Sequence, residues 1–131
     1  MRANTRRPAG LGRRRGRRLV VDIQLEHRTE RGWDVVDVAG DVDLATAPEL
    51  RTRLDRLLTD GARRVIVNLQ GVAFMDSSGL SAIVSGMKGI RETGGQMAIA
   101  CANESILKIF AITGLDRVVS IHPSVAAAVG A

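Results

Sequence analysis

The feature that most constrains the fold is the passage from Arg64 to Ile90, where a strand pattern gives way to a helix pattern. Residues 64–70 include an unbroken run of β-branched side chains, which is typical of a strand buried on both faces. After a short polar junction, apolar side chains recur at three- and four-residue spacing, which predicts a helix with one apolar face. That face consists of Leu80, Ile83, Val84, Met87 and Ile90.

The polar junction between the two patterns consists of Asp76, Ser77, Ser78 and Gly79. A helix begins here, and its first turn presents unpaired backbone N–H groups and the positive end of the helix dipole, which favour an anion. A serine at this position is most simply a helix cap. Two hydroxyls are present where one cap suffices, and this favours a functional role for the junction.

Strand and helix signals alternate along the rest of the chain. Residues 19–26 alternate apolar and polar side chains, residues 28–32 are turn-like, and residues 33–39 predict a second strand of a hairpin. The remaining signals are a helix with a Thr46–Glu49 capping box that ends at Gly61, a strand at 96–101, a helix from Asn103 to Gly114, a strand at 118–121 and a short helix after Pro123. The predicted order is ββαβαβαβα. It corresponds to an α/β fold with a mixed, mostly parallel sheet of about five strands and helices packed against it.

The positive charge of the chain is concentrated at its start. Residues 1–18 hold eight arginines and no acid, so subtracting them from the net charge of +5 leaves −3 for residues 19–131. The first segment has almost nothing to bury and is predicted to be a disordered tail, with residues 19–131 as the one domain. Two interpretations of this segment remain open: a basic arm that binds nucleic acid or anionic lipid, and a solvated leader. We favour the leader, because no amphipathic period accompanies the charge.

Composition argues against several classes of protein. The chain has no Tyr, one Trp and two Phe, so base-stacking platforms are not expected, and neither is direct nucleic-acid binding by the domain. The single cysteine, Cys101, excludes an internal disulfide. No stretch approaches the roughly eighteen apolar residues of a membrane span, and no secretory signal follows the arginines. The sequence therefore predicts a cytoplasmic protein without a membrane segment.

Independent catalysis finds little support in the sequence. Ser77 and Ser78 do not lie in a G-x-S-x-G elbow, and the only candidate bases, His27 and His122, are predicted at the surface. Walker loops, dinucleotide-binding glycine motifs and Cys/His metal spacings are all missing from the sequence. We therefore expect a protein that is not an enzyme.

Asp41 and Asp43 are two acids in a predicted loop before the Thr46 helix. As a metal site or an acid/base pair they would need a third ligand or a substrate cleft, and the sequence indicates neither. A solvated loop is the simpler interpretation. No metal site is predicted.

Four motifs occur in a characteristic order along residues 19–131. They are Gly40 to Asp43, Val67 to Leu69 followed by Phe74 to Leu80, Gly94 to Met97, and Leu107 to Leu115. In this order they resemble the STAS domains of bacterial anti-sigma factor antagonists. The D-S-S-G-L sequence at residues 76–80 is the most specific part, and the basic tail lies outside the resemblance.

The resemblance implies a regulatory binding module. In that family, an anti-sigma factor with a histidine-kinase-like ATPase fold captures a sigma factor, and the unphosphorylated antagonist binds the anti-sigma factor and frees the sigma factor. The anti-sigma factor can use ATP to phosphorylate a serine of the antagonist, and a phosphatase reverses this. By position, the phosphoacceptor is Ser77, and the partner-binding residues are Asp43, Asp76, Ser77, Ser78 and Gly79.

ATP and Mg²⁺ belong to the partner in this scheme, so the chain itself is expected to carry no cofactor. The alternative function is a STAS scaffold or sensor that binds a small ligand or nucleotide without being switched by phosphorylation.

Overall fold

A computed structural model describes residues 23–131 of the chain. The predicted tail of residues 1–18 and the predicted strand start at residue 19 lie outside the described residues. The strands are β1 Gln24–Glu30, β2 Trp33–Val42, β3 Arg64–Met75, β4 Gln96–Ala100 and β5 Ser120–His122. The helices are α1 Ala47–Thr59, α2 Ser77–Glu92, α3 Glu104–Thr113 and α4 Val125–Val129, with a 3-10 turn at Leu115–Arg117. The predicted order ββαβαβαβα is confirmed.

The five strands form one sheet in which each strand lies beside its neighbour in the sequence, in the order β1-β2-β3-β4-β5. Strands β1 and β2 form an antiparallel hairpin, and the other three pairs are parallel. The mixed, mostly parallel sheet is therefore confirmed as well.

Several strands extend beyond the bounds that the sequence predicts. Strand β1 continues to Glu30, because an edge strand tolerates polar side chains. The turn therefore consists of Arg31 and Gly32 alone, and both residues have positive φ. Strand β2 continues past Gly40, where the register with β3 shifts. A glycine that resembles a strand breaker in the sequence marks a bulge instead. Strand β3 likewise runs on to Met75, and β5 begins at Ser120 rather than at residue 118.

The two faces of the sheet are covered unequally. Helices α1, α2 and α3 bury the larger core, in which Leu50, Ile83 and Phe110 are fully enclosed. Helix α4 covers a smaller cluster on the other face, around Val35 and Ile66. The core is mostly aliphatic, as the composition requires, with Phe110 and Trp33 as its aromatic members.

Cys101 is a free thiol buried in the larger core, where it acts as a small core residue. Burial raises its thiol pKa. Within residues 23–131, no helix is long and apolar enough to cross a membrane.

Helices α1 and α2 pack closely because glycines of α2 face leucines of α1. A Cβ atom added to Gly86 would lie 2.8 Å from Leu54 Cδ1, and one added to Gly89 would lie 2.7 Å from Leu58 Cδ2. Since α1 and α2 follow adjacent parallel strands, their first turns emerge side by side at the same edge of the sheet.

Candidate functional site

The candidate site lies at the carboxyl ends of β2 and β3. The two strands remain paired to their last residues, Val42 opposite Met75, and the backbone N–H of Asp76 then donates to the Val42 carbonyl at 3.1 Å. This pairing brings the loop that begins at Asp43 next to the start of α2. The fold thus gathers the predicted site residues at one edge of the sheet.

Asp76, and not a serine, caps helix α2. Its backbone is extended, and its Oδ1 accepts the N–H of Ser78 at 2.8 Å. The expectation that a serine serves as the cap is therefore wrong, because the aspartate one residue earlier already fills that role. Ser77 and Ser78 occupy the first turn of the helix.

The two serines differ in exposure. Ser77 is exposed and Ser78 is half-buried. Within residues 23–131 the Ser77 hydroxyl has no hydrogen-bond partner, so no structural contact competes with a reaction at this oxygen.

Gly79 allows α2 to begin directly against the ends of the strands. The residue is buried, and an added Cβ atom would lie 2.7 Å from both Val42 Cγ1 and Met75 Cγ. Real Cβ atoms essentially never come this close to another heavy atom. The glycine therefore sets the position of Ser77, two residues earlier, against the sheet.

The loop before α1 is organised by Asp43 and Thr46. Asp43 Oδ1 accepts the N–H groups of Ala45 at 3.0 Å and Thr46 at 3.1 Å. The Thr46 hydroxyl donates to the Asp41 carbonyl at 2.7 Å and accepts the N–H of Asp43 at 3.0 Å. Because this buried hydroxyl is engaged in the loop, it does not cap α1, and the capping-box prediction for Thr46 is wrong.

The two acids of the predicted loop occupy different positions. Asp41 lies within β2, so its prediction as a loop residue is wrong, whereas Asp43 follows the strand. Asp43 is half-exposed, and its second carboxylate oxygen makes no hydrogen bond within the described part of the chain. Its charge is therefore accessible at the surface although its Oδ1 is structural.

A groove of about 470 Å³ opens beside Ser77, between the first turns of α1 and α2. Its polar lining residues are Arg51, Ser77, Ser78 and Ser81, and Leu44 and Pro48 form part of its apolar wall. The sequence reasoning missed Arg51. The signal that could have found it is the adjacency of β2 and β3, which makes the first turns of the following helices neighbours.

Two large apolar side chains near the site are exposed to solvent. Leu44, two residues after Val42, is 79% exposed, and Phe74, one residue before Met75, is 52% exposed. The sequence reasoning did not single them out as surface residues. Exposed apolar side chains grouped beside polar residues are typical of a protein-binding surface.

The comparison with protein families agrees with this geometry. The family model of the STAS domain matches residues 24–128. The chain belongs to the STAS domain family.

Among its relatives is the anti-sigma-B factor antagonist of Staphylococcus aureus (strain NCTC 8325 / PS 47), 31% identical over 102 residues, with 78% of this chain and 94% of the relative covered. The anti-sigma-B factor antagonist of Bacillus subtilis (strain 168) is 36% identical over 101 residues, with 77% of this chain and 92% of the relative covered.

Two solved structures have a similar fold. The crystal structure of an anti-sigma factor antagonist from Mycobacterium paratuberculosis has a TM-score of 0.74 at 23% identity, with 79% of this chain and 88% of that chain covered. The phosphorylated form of the Bacillus cell fate determinant SpoIIAA has a TM-score of 0.61 at 24% identity, with 76% and 89% covered. At these identities the two likenesses establish the fold alone.

Neither histidine of this STAS domain lines the groove beside Ser77. His27 lies in the middle of β1, and its Nε2 is 2.8 Å from Asp34 Oδ1. Asp34 pairs with Val65 near the start of β3, at the end of the sheet opposite Ser77. His122 ends β5. Within residues 23–131, no three His, Cys, Asp or Glu side chains are grouped as metal ligands would be.

A polar network crosses the STAS sheet away from the groove. Asp37 accepts from Arg28 Nε at 2.7 Å and from Asn68 Nδ2 at 2.7 Å, which connects β1, β2 and β3. Partial burial alone would raise the pKa of Asp37, but the hydrogen bonds from Arg28 and Asn68 outweigh it and hold the pKa below its usual value. The hydrogen bonds that Arg28 donates to Asp37 and Glu30 raise the pKa of Arg28. This network is a structural feature of the sheet.

Proposed function

We propose that this chain is an anti-sigma factor antagonist. It binds an anti-sigma factor, which then releases its sigma factor, and phosphorylation of Ser77 prevents this binding. The observation that carries the proposal is the exposed Ser77 hydroxyl, which has no hydrogen-bond partner among residues 23–131, on a helix that Asp76 already caps. Relatives named anti-sigma-B factor antagonists, aligned over more than nine tenths of their own length, support it.

The proposed partner surface combines polar and apolar side chains around Ser77. Asp43, Asp76 and Ser78 supply charge and hydrogen-bonding groups. Exposed Leu44 and Phe74 supply the apolar area that partners usually bury at the centre of an interface. Gly79 contributes indirectly, because its missing side chain sets the position of the first turn of α2.

The switch is a change of surface charge. A phosphate on Ser77 adds roughly −1.5 to −2 charges at neutral pH, next to the charge of Asp76. The first turn of a helix tolerates an anion, so the fold is expected to persist. In a complementary interface the same group brings bulk, desolvation cost and repulsion of acidic partner residues. A loss of about 3 kcal/mol would weaken partner binding by more than a hundredfold.

The kinase and the phosphatase are also part of the proposal. The anti-sigma factor has a kinase-type ATPase fold and brings ATP and Mg²⁺, and a separate phosphatase acts on phosphorylated Ser77. Residues 19–131 form the responsible domain, without direct nucleic-acid binding and without a cofactor of their own. The domain acts in the cytoplasm, where sigma factors meet RNA polymerase.

The test is incubation with kinase-fold anti-sigma factors and ATP, followed by mapping of the phosphorylated residue. We expect phosphate on Ser77, none on the Ser77→Ala variant, and continued phosphorylation of Ser77 in the matched control Ser78→Ala. Ser77→Ala should bind the partner at all times, since its hydroxyl is not the helix cap, and Ser77→Asp should bind weakly.

Two results would contradict the switch. Phosphate on Ser78 that persists in Ser77→Ala would show that Ser78 is the phosphorylated residue. Tight partner binding by the phosphorylated protein would show that phosphorylation does not prevent binding. If no partner phosphorylates Ser77 and the groove beside it binds a small molecule, the unswitched scaffold or sensor is the better description.

A further inference from the structure

Among residues 23–131, one charged side chain lines the groove beside Ser77, and that side chain is a cation. Arg51 projects from the exposed side of α1, and the lining residues in the described part of the chain include no carboxylate. Three lining serines, Ser77, Ser78 and Ser81, supply hydroxyl groups. The groove therefore offers one guanidinium and several hydroxyls beside an exposed serine.

Arg51 is not engaged by the nearby acids. Within residues 23–131 it forms no ion pair and no side-chain hydrogen bond. Asp76 and Asp43 instead accept backbone N–H groups through Oδ1, which caps α2 and holds the loop before α1. The guanidinium is thus available to a new anion in the groove.

We propose that Arg51 binds the phosphate group of phosphorylated Ser77. The inference rests on the proposed function, because it presupposes phosphate on Ser77. A phosphate monoester has three acceptor oxygens, and a planar guanidinium donates to two of them at once. Ser81, one helical turn after Ser77, lines the same groove and can donate to the phosphate as well.

This contact gives phosphorylation a second effect on the surface. Before modification, Arg51 is a positive charge beside the proposed partner surface, and no acid of the described residues pairs with it. After modification, the phosphate occupies the groove and engages Arg51, so one reaction adds a negative charge and masks a positive one. A partner that contacts this edge of the sheet meets both changes.

The test uses the full chain with phosphoserine incorporated at residue 77 during translation, so it needs neither the partner nor its kinase. The second pKa of the phosphate, ordinarily about 6, is measured by phosphorus NMR across a pH titration. Asp43 and Asp76 raise this pKa in every variant alike, and Arg51 lowers it. Arg51→Gln should raise the pKa by about 0.7, the effect of one charge roughly 4 Å away in water.

Arg56→Gln is the matched control. Arg56 is also exposed on α1, but it lies five residues further along the helix and lines a different groove. At an ionic strength of about 0.1 M its charge is largely screened from Ser77, so the pKa should change by less than about 0.2. Arg51→Lys, which keeps the charge, should preserve most of the lowered pKa. Both positions are exposed, and circular dichroism checks that each of the three variants folds.

A phosphate pKa that is the same in wild type and Arg51→Gln would overturn the inference. So would equal changes in Arg51→Gln and Arg56→Gln, because they would reveal a general charge effect rather than a contact. Either outcome leaves the proposed function untouched, since partner binding is measured separately. Conversely, a lowered pKa in a protein that no anti-sigma factor binds would support the contact and contradict the function.

Discussion

Substitutions at Asp43 separate a structural contribution from a charge contribution at the proposed partner surface. Its Oδ1 accepts the backbone N–H groups of Ala45 and Thr46 at 3.0 and 3.1 Å, while its charge remains accessible. Asp43→Ala removes both the acceptor and the charge. Asp43→Asn keeps an oxygen acceptor of similar geometry and removes only the charge.

The size of the stability effect follows from these two hydrogen bonds. A typical intramolecular hydrogen bond contributes about 1 kcal/mol net, and loss of a comparable helix-cap side chain costs about 0.5–2 kcal/mol. The loop is half-exposed, so the freed N–H groups regain some water. We expect Asp43→Ala to lower the free energy of unfolding by about 1–2 kcal/mol and the Tm by about 4–8 °C. Asp43→Asn should remain within about 0.5 kcal/mol of wild type.

Urea unfolding followed by circular dichroism gives the stability, and calorimetry with the anti-sigma factor gives the affinity. Asp43→Asn should be stable yet bind more weakly, and the charge reversal Asp43→Lys should bind more weakly still. Asp41→Asn is the control, because the Asp41 side chain makes no hydrogen bond within residues 23–131.

Three outcomes would refute this reasoning. A free energy of unfolding of Asp43→Ala equal to that of wild type would show that Asp43 Oδ1 does not organise the loop. Equal destabilisation of the Ala and Asn variants would assign the effect to charge. Undiminished partner binding by Asp43→Lys would remove Asp43 from the proposed surface.

Two further predictions concern packing and pH. Gly79→Ala places a Cβ atom 2.7 Å from Val42 Cγ1 and Met75 Cγ, so overpacking of about 1–3 kcal/mol should exceed the roughly 1 kcal/mol gain in helix propensity. The Tm should fall by about 4 °C relative to the exposed control Ser81→Ala. An unchanged Tm would show that the Val42 and Met75 side chains shift at no cost and would contradict the prediction. The lowered pKa of Asp37 stabilises the fold above the ordinary carboxyl pKa, and this stability is lost as the pH falls through the folded-state value. Wild type should therefore lose more stability than Asp37→Asn on acidification below about pH 5, and parallel curves would contradict that origin.

The order of elements could be predicted because hydrophobic periodicity depends on local sequence. The alternation of strands and helices, the Asn103 cap and the left-handed Gly114 are all confirmed. The extents of β2 and β3 could not be predicted. A glycine can end a strand or form a bulge within it, and the pairing with the neighbouring strand decides which; at Gly40 the result is a bulge.

The candidate site was predictable in part. Ser77 and its neighbours stand out by composition, yet their assigned roles remain predictions. Which side chain caps α2 depends on backbone angles at Asp76 that no residue pattern specifies. Arg51 belongs to another helix and joins the groove through the packing of α1 on α2, so it can be found only once β2 and β3 are known to be neighbours.

The strand order of the sheet has a consequence for folding during synthesis. Within residues 23–131 each strand pairs with the strand that precedes or follows it in the chain. No strand must wait for a distant partner, so the sheet can grow by one strand at a time as the polypeptide leaves the ribosome. The small cluster on the second face closes after the sheet is complete, because α4 follows β5 in the chain. A nascent chain arrested before residue 125 would therefore expose the apolar side chains that α4 normally covers, and would be the stage most in need of a chaperone.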